Sequence, residues 1–413
     1  MAARSSLVDA PEIPAALALP PLPRGRRAFR LLVATPRYLP LLGGVENHVY
    51  QVTQRLVRAG VQVTVLTADP GGKLEPFEWM EGVAVWRVRA WPAQRDYYFA
   101  PGIYQAIRHG RWDLVHCQSY HTFVAPLAML GALRAHIPYL VTFHGGGHSS
   151  RLRHGARGIQ IQMLRPLLSR AARLVAVANF EVEQFGARLG LPRDRFVVIP
   201  NGCDLPEPAS PSGAEAWQDG PGTLILSVGR LERYKGHQRI LAALPAILAR
   251  RPDATLRILG EGPYEPALRR LAQQLGVADR VAIGAIPPRD RGAMRALLGR
   301  ASLVTLLSEY ETHPLAVLEA ISLQCPALVA DTSGLRELAD RGLARAIPLE
   351  STPEQIAAAA LHQLEQPLIP APIALPTWDA CATALLSLYH SVLQERRGTP
   401  RPADRWTRSS PAL

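Results

Sequence analysis

At 413 residues, with 48% hydrophobic and 19% charged side chains, the chain is too long for one ordinary core and reads as a soluble globular protein of two or three domains. No apolar run reaches the length a membrane-spanning helix needs, and four widely spaced cysteines without a CxxC pair fit reduced, buried thiols in a cytoplasmic protein better than a disulfide frame or zinc site. Lys and Arg outnumber Asp and Glu by 46 to 34, and the formal charge of +12 calls for an anionic partner without choosing among nucleic acid, lipid and nucleotide phosphate.

Residues 1–28, rich in Ala, Pro and Arg, are expected to form a flexible tail. Within them the apolar stretch Ala15–Pro23 carries three prolines and follows Asp9 and Glu12, which argues against a signal peptide. From Phe29 the run FRLLVAT predicts a buried strand. A helix follows from near Val45, with Val45, Val49, Val52 and Leu56 at helical spacing, and ends at Gly60. VQVTVLT predicts a second strand, and a strand–helix–strand unit of this length implies a parallel pair. VAVWRV, DLVHCQ, PYLVTF, LVAVA and FVVIP continue the series with helical stretches between most of them.

A Pro-, Gly- and Ser-rich stretch then interrupts the pattern, which restarts with TLILSVG, TLRILG, RVAIGA, SLVTLL and PALVAD. The expected division is a first Rossmann-like domain over 29–205, a linker over 206–221 and a second over 222–376. An amphipathic helix over 377–397 and a disordered tail over 398–413 complete it. Ligands of doubly wound α/β sheets bind at the carboxyl ends of strands, so two such domains place their loops around one cleft.

Those loops carry the candidate chemistry. Pro314 starts a helical pattern in which the N–H groups of Leu315 and Ala316 point out of the helix end and form an anion site. Glu311 stands beside that site, and Glu319 lies one turn deeper on the face of Leu315. Two solvated glutamates at a helix start are the plainer alternative. Arg230 and Lys235, in GRLERYKG directly after a strand, suit a diphosphate clamp, the alternative being an exposed basic turn. Gly43-Gly44 before a helix is either a close backbone approach to an anion or a plain tight turn. Gly260 and Gly262 form a GxG without the later glycine, an incomplete dinucleotide signature. His144 ends a strand in HGGGH; a metal reading finds too few ligands, and donation to a sugar hydroxyl or support of developing charge suits it better, the alternative of a solvated loop histidine being more credible for His148 than for His144.

The ordered set GGVENH, TFHG, IPNGCD, SVGRLERYKG, LGEGP and ETHPLAVLEA resembles glycosyltransferase family 4, retaining enzymes of the GT-B fold. The resemblance runs from Arg30 to Ala339, and Trp378–Arg397 resembles that fold's last helix, crossing back to the first domain. Glu311 and Glu319 match the family's E-x7-E motif. The resemblance implies a nucleotide-diphosphate sugar as donor (UDP-, GDP- or ADP-linked), a glycan or lipid-linked acceptor, no metal and no other cofactor. By position it implies that Arg230 and Lys235 neutralise the diphosphate with the Leu315 and Ala316 N–H groups, that Glu311 holds sugar hydroxyls, and that Glu319 holds the ribose. It further implies that His144 lies near the anomeric carbon and Gly44 near phosphate and acceptor. Retention in the family is assigned to same-face attack assisted by the donor phosphate.

The chain departs from the family pattern at His313-Pro314, where Phe-Gly is common, which adds an imidazole contact and removes a backbone donor. Gln324 and Ser333 stand where glycines are frequent, and Ala178 where serine is. Between Asp113 and Glu181 there is no acidic residue, while Arg151–Arg173 interleaves arginines with apolar residues. Such a segment either lies on the anionic inner face of a membrane or is an ordinary arginine-solvated helix. A GT-B epimerase or phosphorylase is the second enzyme reading. A basic nucleic-acid-binding protein is the reading from a different class, disfavoured because the arginine-rich span has almost no aromatics.

Overall fold

The computed structural model describes residues 29–41, 43–92, 99–145, 151–205, 222–287, 290–370 and 375–398, with the side chains of 151–157 and 397–398 left aside. The expected tail 1–28, the linker 206–221, His148 and all of 398–413 but Gly398 lie outside those residues.

The first sheet comprises β1 (Arg30–Thr35), β2 (Gln62–Asp69), β3 (Phe77–Met80), β4 (Val83–Arg89), β5 (Leu114–Gln118), β6 (Tyr139–Thr142), β7 (Arg173–Ala176) and β8 (Phe196–Val198). Its spatial order is β3-β4-β2-β1-β5-β6-β7-β8, parallel throughout except for β3 on β4. The second sheet comprises β9 (Leu224–Val228), β10 (Thr255–Leu259), β11 (Val281–Gly284), β12 (Leu303–Leu306), β13 (Ala327–Ala330) and β14 (Arg345–Ile347). It is fully parallel in the order β11-β10-β9-β12-β13-β14. Two strands lie outside the runs read from the sequence. FEWM of β3 has charge within it and pairs as an antiparallel edge, and β14 is only three residues long. Neither can show a core strand's apolar run.

Both faces of each sheet are covered, and alternation along the strands sorts the side chains. Leu31 and Val33 enter one core, Leu32 and Ala34 the other. On the first face lies α1 (Gly44–Arg58), which buries Val49, Val52 and Leu56, each contributing about 2 kcal/mol by area. Beside it α12 (Trp378–Gly398) inserts Trp378, Cys381, Leu385 and Tyr389 into the same core. The last helix among the described residues thus packs on the first sheet. Helices α2 (Pro101–His109), α3 (Val124–Arg134), α4 (Arg151–Leu168) and α5 (Asn179–Leu189) cover the opposite face.

In the second half, α6 (His237–Leu248), α7 (Glu265–Gln274) and α11 (Pro353–Glu365) pack on one face. Helices α8 (Arg291–Arg300), α9 (Leu315–Ser322) and α10 (Ser333–Asp340) pack on the other. The chain's two passages between the halves run side by side: Cys203 N donates to Pro376 O at 2.9 Å and Trp378 N to Asp204 Oδ1 at 2.6 Å.

Candidate active site

Strand order reverses at β1/β5 in the first sheet and at β9/β12 in the second. At such a point neighbouring loops leave in opposite directions and open a crevice. The loops after β1, β9 and β12 carry Gly43-Gly44, Arg230–Lys235 and Glu311–Pro314. The topology therefore gathers most of the sequence candidates at the two reversal points.

Lys235 and Glu311 meet across the second of these. Lys235 Nζ lies 2.5 Å from Glu311 Oε1, and both side chains are largely buried. Burial alone would lower the Lys235 pKa, but the Glu311 and Tyr234 charges outweigh it and hold the ammonium above its ordinary value. Arg230 is half-exposed, its guanidinium held 2.8 Å from Tyr234 Oη and 2.9 Å from Glu232. Glu46, from the first turn of α1 on the opposite wall, lies near enough to stabilise the Arg230 charge. The Arg230 loop is fixed by His237, whose Nδ1 is 2.8 Å from Ser227 Oγ and whose Nε2 faces Arg230 O at 3.2 Å.

Helix α9 begins at Leu315, one residue later than the sequence pattern implies, because Pro314 serves as its cap with φ −78° and ψ 86°. Val317 N and Leu318 N both donate to Pro314 O, and the N–H groups of Leu315 and Ala316 have no acceptor among the described residues. Glu319 is 3% exposed and accepts from Arg291 at the start of α8. Burial pushes its carboxyl up to about 7, with Arg291 opposing.

A histidine group fills the first wall. His144, two residues past the end of β6, has φ 45°, a left-handed conformation that a non-glycine residue keeps only where its surroundings demand it. Its Nε2 is 2.7 Å from Gln118 Oε1, which commits that nitrogen's proton to the amide. With that proton on Nε2, the other ring nitrogen is left as an acceptor. The His48 ring, from α1, stands edge-on to it at 4.6 Å, with Nδ1 2.7 Å from Asn201 Oδ1 and Nε2 buried without a partner. His313 approaches from the second half, its Nδ1 likewise buried without a partner. Burial lowers the His48 and His313 pKa values to about 4, and that of His144 well below its usual range, so all three are neutral near pH 7.

The two halves touch beside this group. Thr312 Oγ1 donates to Gly145 O at 3.2 Å, and Tyr310 Oη to Gln184 Oε1 at 2.8 Å. Glu181 accepts from Gly145 N at 2.6 Å and Val177 N at 2.8 Å, pinning the turn after His144.

Gly260 and Gly262 act one step behind the site. Their φ values are 153° and 156°, and a Cβ on either would strike Gly229 O or Leu231 O. They let the β10 loop lie against the Arg230 loop, where Leu231 N donates to Glu261 O at 2.9 Å. Gln324 and Ser333, the two residues at frequent glycine positions, have φ 60° and 44°. The backbone keeps the glycine conformation without the glycine, and Ser333 Oγ accepts from Glu311 N at 2.8 Å.

Within Arg151–Arg173 the described arginines are partly committed internally: Arg165 donates to Leu189 O and Arg173 to Glu395. Ile161, Leu164 and Leu168 are core residues, while Ile159 and Met163 are 68% and 76% exposed. Among the described residues no helix is long and apolar enough to cross a membrane.

Sequence reading passed over His48, Asn201, Gln118, Glu181 and Arg291. His48 and Asn201 sit inside quoted motifs and could have been singled out. Gln118, Glu181 and Arg291 gave no signal, since their roles exist only in three dimensions.

The family described as Glycosyltransferase Family 4 matches residues 42–207, and Glycosyl transferases group 1 matches residues 216–371. A GDP-mannose:cellobiosyl-diphosphopolyprenol alpha-mannosyltransferase of Xanthomonas oryzae pv. oryzae is 28% identical over 79% of this chain and 86% of its own. A D-inositol 3-phosphate glycosyltransferase of Nocardiopsis dassonvillei is 28% identical over 86% of this chain and 91% of its own. Among solved structures, sucrose-phosphate synthase from Thermosynechococcus elongatus superposes with a TM-score of 0.70 at 19% identity, covering 89% of this chain and all of that one. The Anabaena protein HepE in complex with UDP and glucose gives 0.66 at 17% identity, over 89% of this chain and 98% of that one. At these identities the superpositions speak to the fold alone.

Proposed function

The chain belongs to glycosyltransferase family 4, and from that premise we propose that it moves a sugar from a nucleotide-diphosphate sugar to a hydroxyl of a glycan or lipid-linked acceptor, with retention at the anomeric carbon. The observation that carries this reading is the grouping of Lys235, Glu311 and the open N-terminus of α9 with Arg230 nearby. Negative charge develops on the leaving diphosphate, and fixed donors placed there lower the barrier because they need not reorganise.

In this reading Lys235, Arg230 and the Leu315 and Ala316 N–H groups receive the diphosphate, so its charge is met without a metal. Glu311, fixed by Lys235, accepts from hydroxyls of the transferred sugar. Glu319 accepts from the ribose in its ionised form, which burial disfavours and Arg291 favours. His144 lies by the anomeric carbon and His313 beside it, and Gly43-Gly44 admits the acceptor and phosphate. The glutamates are held as hydrogen-bond acceptors, and the proton of the attacking hydroxyl passes to the departing phosphate.

The mannosyltransferase relative, whose name specifies a diphosphopolyprenol-linked acceptor, supports a membrane-borne acceptor. The exposed Ile159 and Met163 on a basic helix support peripheral attachment to an anionic inner membrane face. The epimerase, phosphorylase and nucleic-acid readings find no support in the family matches.

The test is transfer from a panel of UDP-, GDP- and ADP-sugars to lipid-linked and soluble acceptors, with the product's anomeric configuration read by NMR. Retained configuration supports the reading. Inverted product would refute the same-face step, and the absence of transfer from every donor would refute the donor class.

A further inference from the structure

We propose that Gln118 is the positioning residue that fixes the tautomer of His144, and that Tyr389 of the C-terminal helix holds Gln118 to this orientation through His116. The inference rests on the reading of His144 as a group beside the donor sugar.

Four hydrogen bonds make the chain. His144 Nε2 is 2.7 Å from Gln118 Oε1, and Gln118 Nε2 is 3.3 Å from His116 Nδ1. That same Nδ1 is 2.7 Å from Tyr389 Oη, and His116 Nε2 is 2.7 Å from Thr142 Oγ1. His116 and Gln118 stand two apart on β5, so they share the face of the sheet on which α12 packs.

The proton positions follow from what each group can do. An amide oxygen only accepts, so His144 carries its proton on Nε2. An amide N–H only donates, so His116 Nδ1 is bare and the His116 proton faces Thr142. Burial raises the Tyr389 pKa, so the phenol keeps its proton and donates it to His116 Nδ1. Burial also lowers the His116 pKa to about 3, which keeps that ring neutral. Turning the Gln118 amide over would require a proton on His116 Nδ1. Tyr389 Oη–H would then lose its acceptor in a fully buried position, a hydrogen bond left unmade. Tyr389 thus selects the amide orientation, and the amide selects the tautomer. The result at the site is a His144 whose Nδ1 accepts from a ligand hydroxyl and does not donate.

A long-range 1H–15N spectrum of the full-length protein with 15N-labelled histidine tests this directly, with His144 assigned by its loss in His144→Gln. The expected spectrum shows His144 protonated at Nε2 and bare at Nδ1. Tyr389→Phe and Gln118→Leu should each bring the opposite tautomer into the population and lower kcat by about 10- to 100-fold with little change in KM. Gln118→Glu, whose carboxylate also only accepts, should restore the Nε2–H form. Wild-type His144 protonated at Nδ1, or an unchanged tautomer in both Tyr389→Phe and Gln118→Leu, would overturn the proposal. The wild-type spectrum decides even where a variant fails to fold. Undiminished transfer by His144→Ala would instead overturn the placement of His144 beside the sugar, and with it the kinetic consequence, while leaving the spectroscopic result intact.

Discussion

Lys235 Nζ and Glu311 Oε1 stand 2.5 Å apart, so the cation assigned to the diphosphate and the acid assigned to the sugar already form one ion pair. Each holds the other in place before any donor arrives. Removing one partner leaves the other charge largely buried and uncompensated. Lys235→Ala should therefore lose about 3 kcal/mol of stability and about 10^2- to 10^3-fold in kcat/KM. Adding Glu311→Gln should recover part of the stability and none of the rate. Urea denaturation and initial-rate kinetics on Lys235→Ala, Glu311→Gln and the double variant check this; strictly additive stability losses would show that the two side chains are not coupled.

Glu319 makes stability and ligand binding respond to pH in opposite directions. Its carboxyl is raised from 4.5 to about 7 by burial, with Arg291 opposing. Between those values the folded chain keeps a proton that the unfolded chain has released. This group's stabilising contribution is accordingly present below 4.5 and lost as pH rises through about 7. A ribose diol requires the carboxylate as acceptor, so Kd for the nucleotide sugar should rise several-fold as pH falls through about 7, and stay flat in Glu319→Gln. Calorimetric titrations across the range check this, and equal slopes in both proteins would assign the dependence to another group.

The buried histidines act on stability with the reverse sign. His48 and His313 are each lowered from 6.5 to about 4 by burial. Their contribution is present above 6.5 and lost as pH falls towards 4, because the unfolded chain takes up protons that the folded chain refuses. In that window each contributes a slope of about 1.4 kcal/mol per pH unit. Unfolding free energies measured for His48→Gln should fall less steeply on acidification than those of the wild type, by about that slope.

Gln324 follows Leu323, the C-terminal cap of α9, in a left-handed conformation, with Cys325 N donating back to Ala320 O at 3.0 Å. This is the helix ending in which glycine is favoured, and the Gln324 side chain is exposed. Gln324→Gly should stabilise the fold by about 1 kcal/mol without changing turnover, read by thermal and chemical denaturation. Destabilisation would mean that the side chain has an unseen partner.

Ile159 and Met163 lie one helical turn apart on the exposed side of α4. Replacing both with glutamate should release the protein from anionic vesicles in sedimentation assays, and high salt should weaken wild-type binding. Wild-type protein that ignores anionic vesicles would leave α4 an ordinary surface helix.

The doubly wound architecture was legible because buried parallel strands leave long apolar runs, and each of the twelve anticipated runs contains a strand: VQVTVLT and TLILSVG are plain cases. Strands β3 and β14 were not legible, being an edge and a three-residue end. At the site, Glu311, Glu319, Arg230 and Lys235 stood out because their spacing in ordered motifs is a sequence property. Arg291 on Glu319 and Gln118 on His144 did not, since each contact joins residues on separate elements, 28 and 26 positions apart. Gly260 and Gly262 show a third case, in which the residues stand out in the sequence and the physical reason for glycine is the approach of two loops.

The central claim is a donor site built on Lys235 and Glu319, and thermal shift with a panel of nucleoside diphosphates and nucleotide sugars tests it most directly. A ligand that binds only the folded state raises its melting temperature by mass action. The account predicts a rise with compounds of one base, absent in Lys235→Ala and Glu319→Ala proteins that remain folded. A folded wild-type protein whose melting temperature no nucleotide diphosphate or nucleotide sugar raises would contradict it.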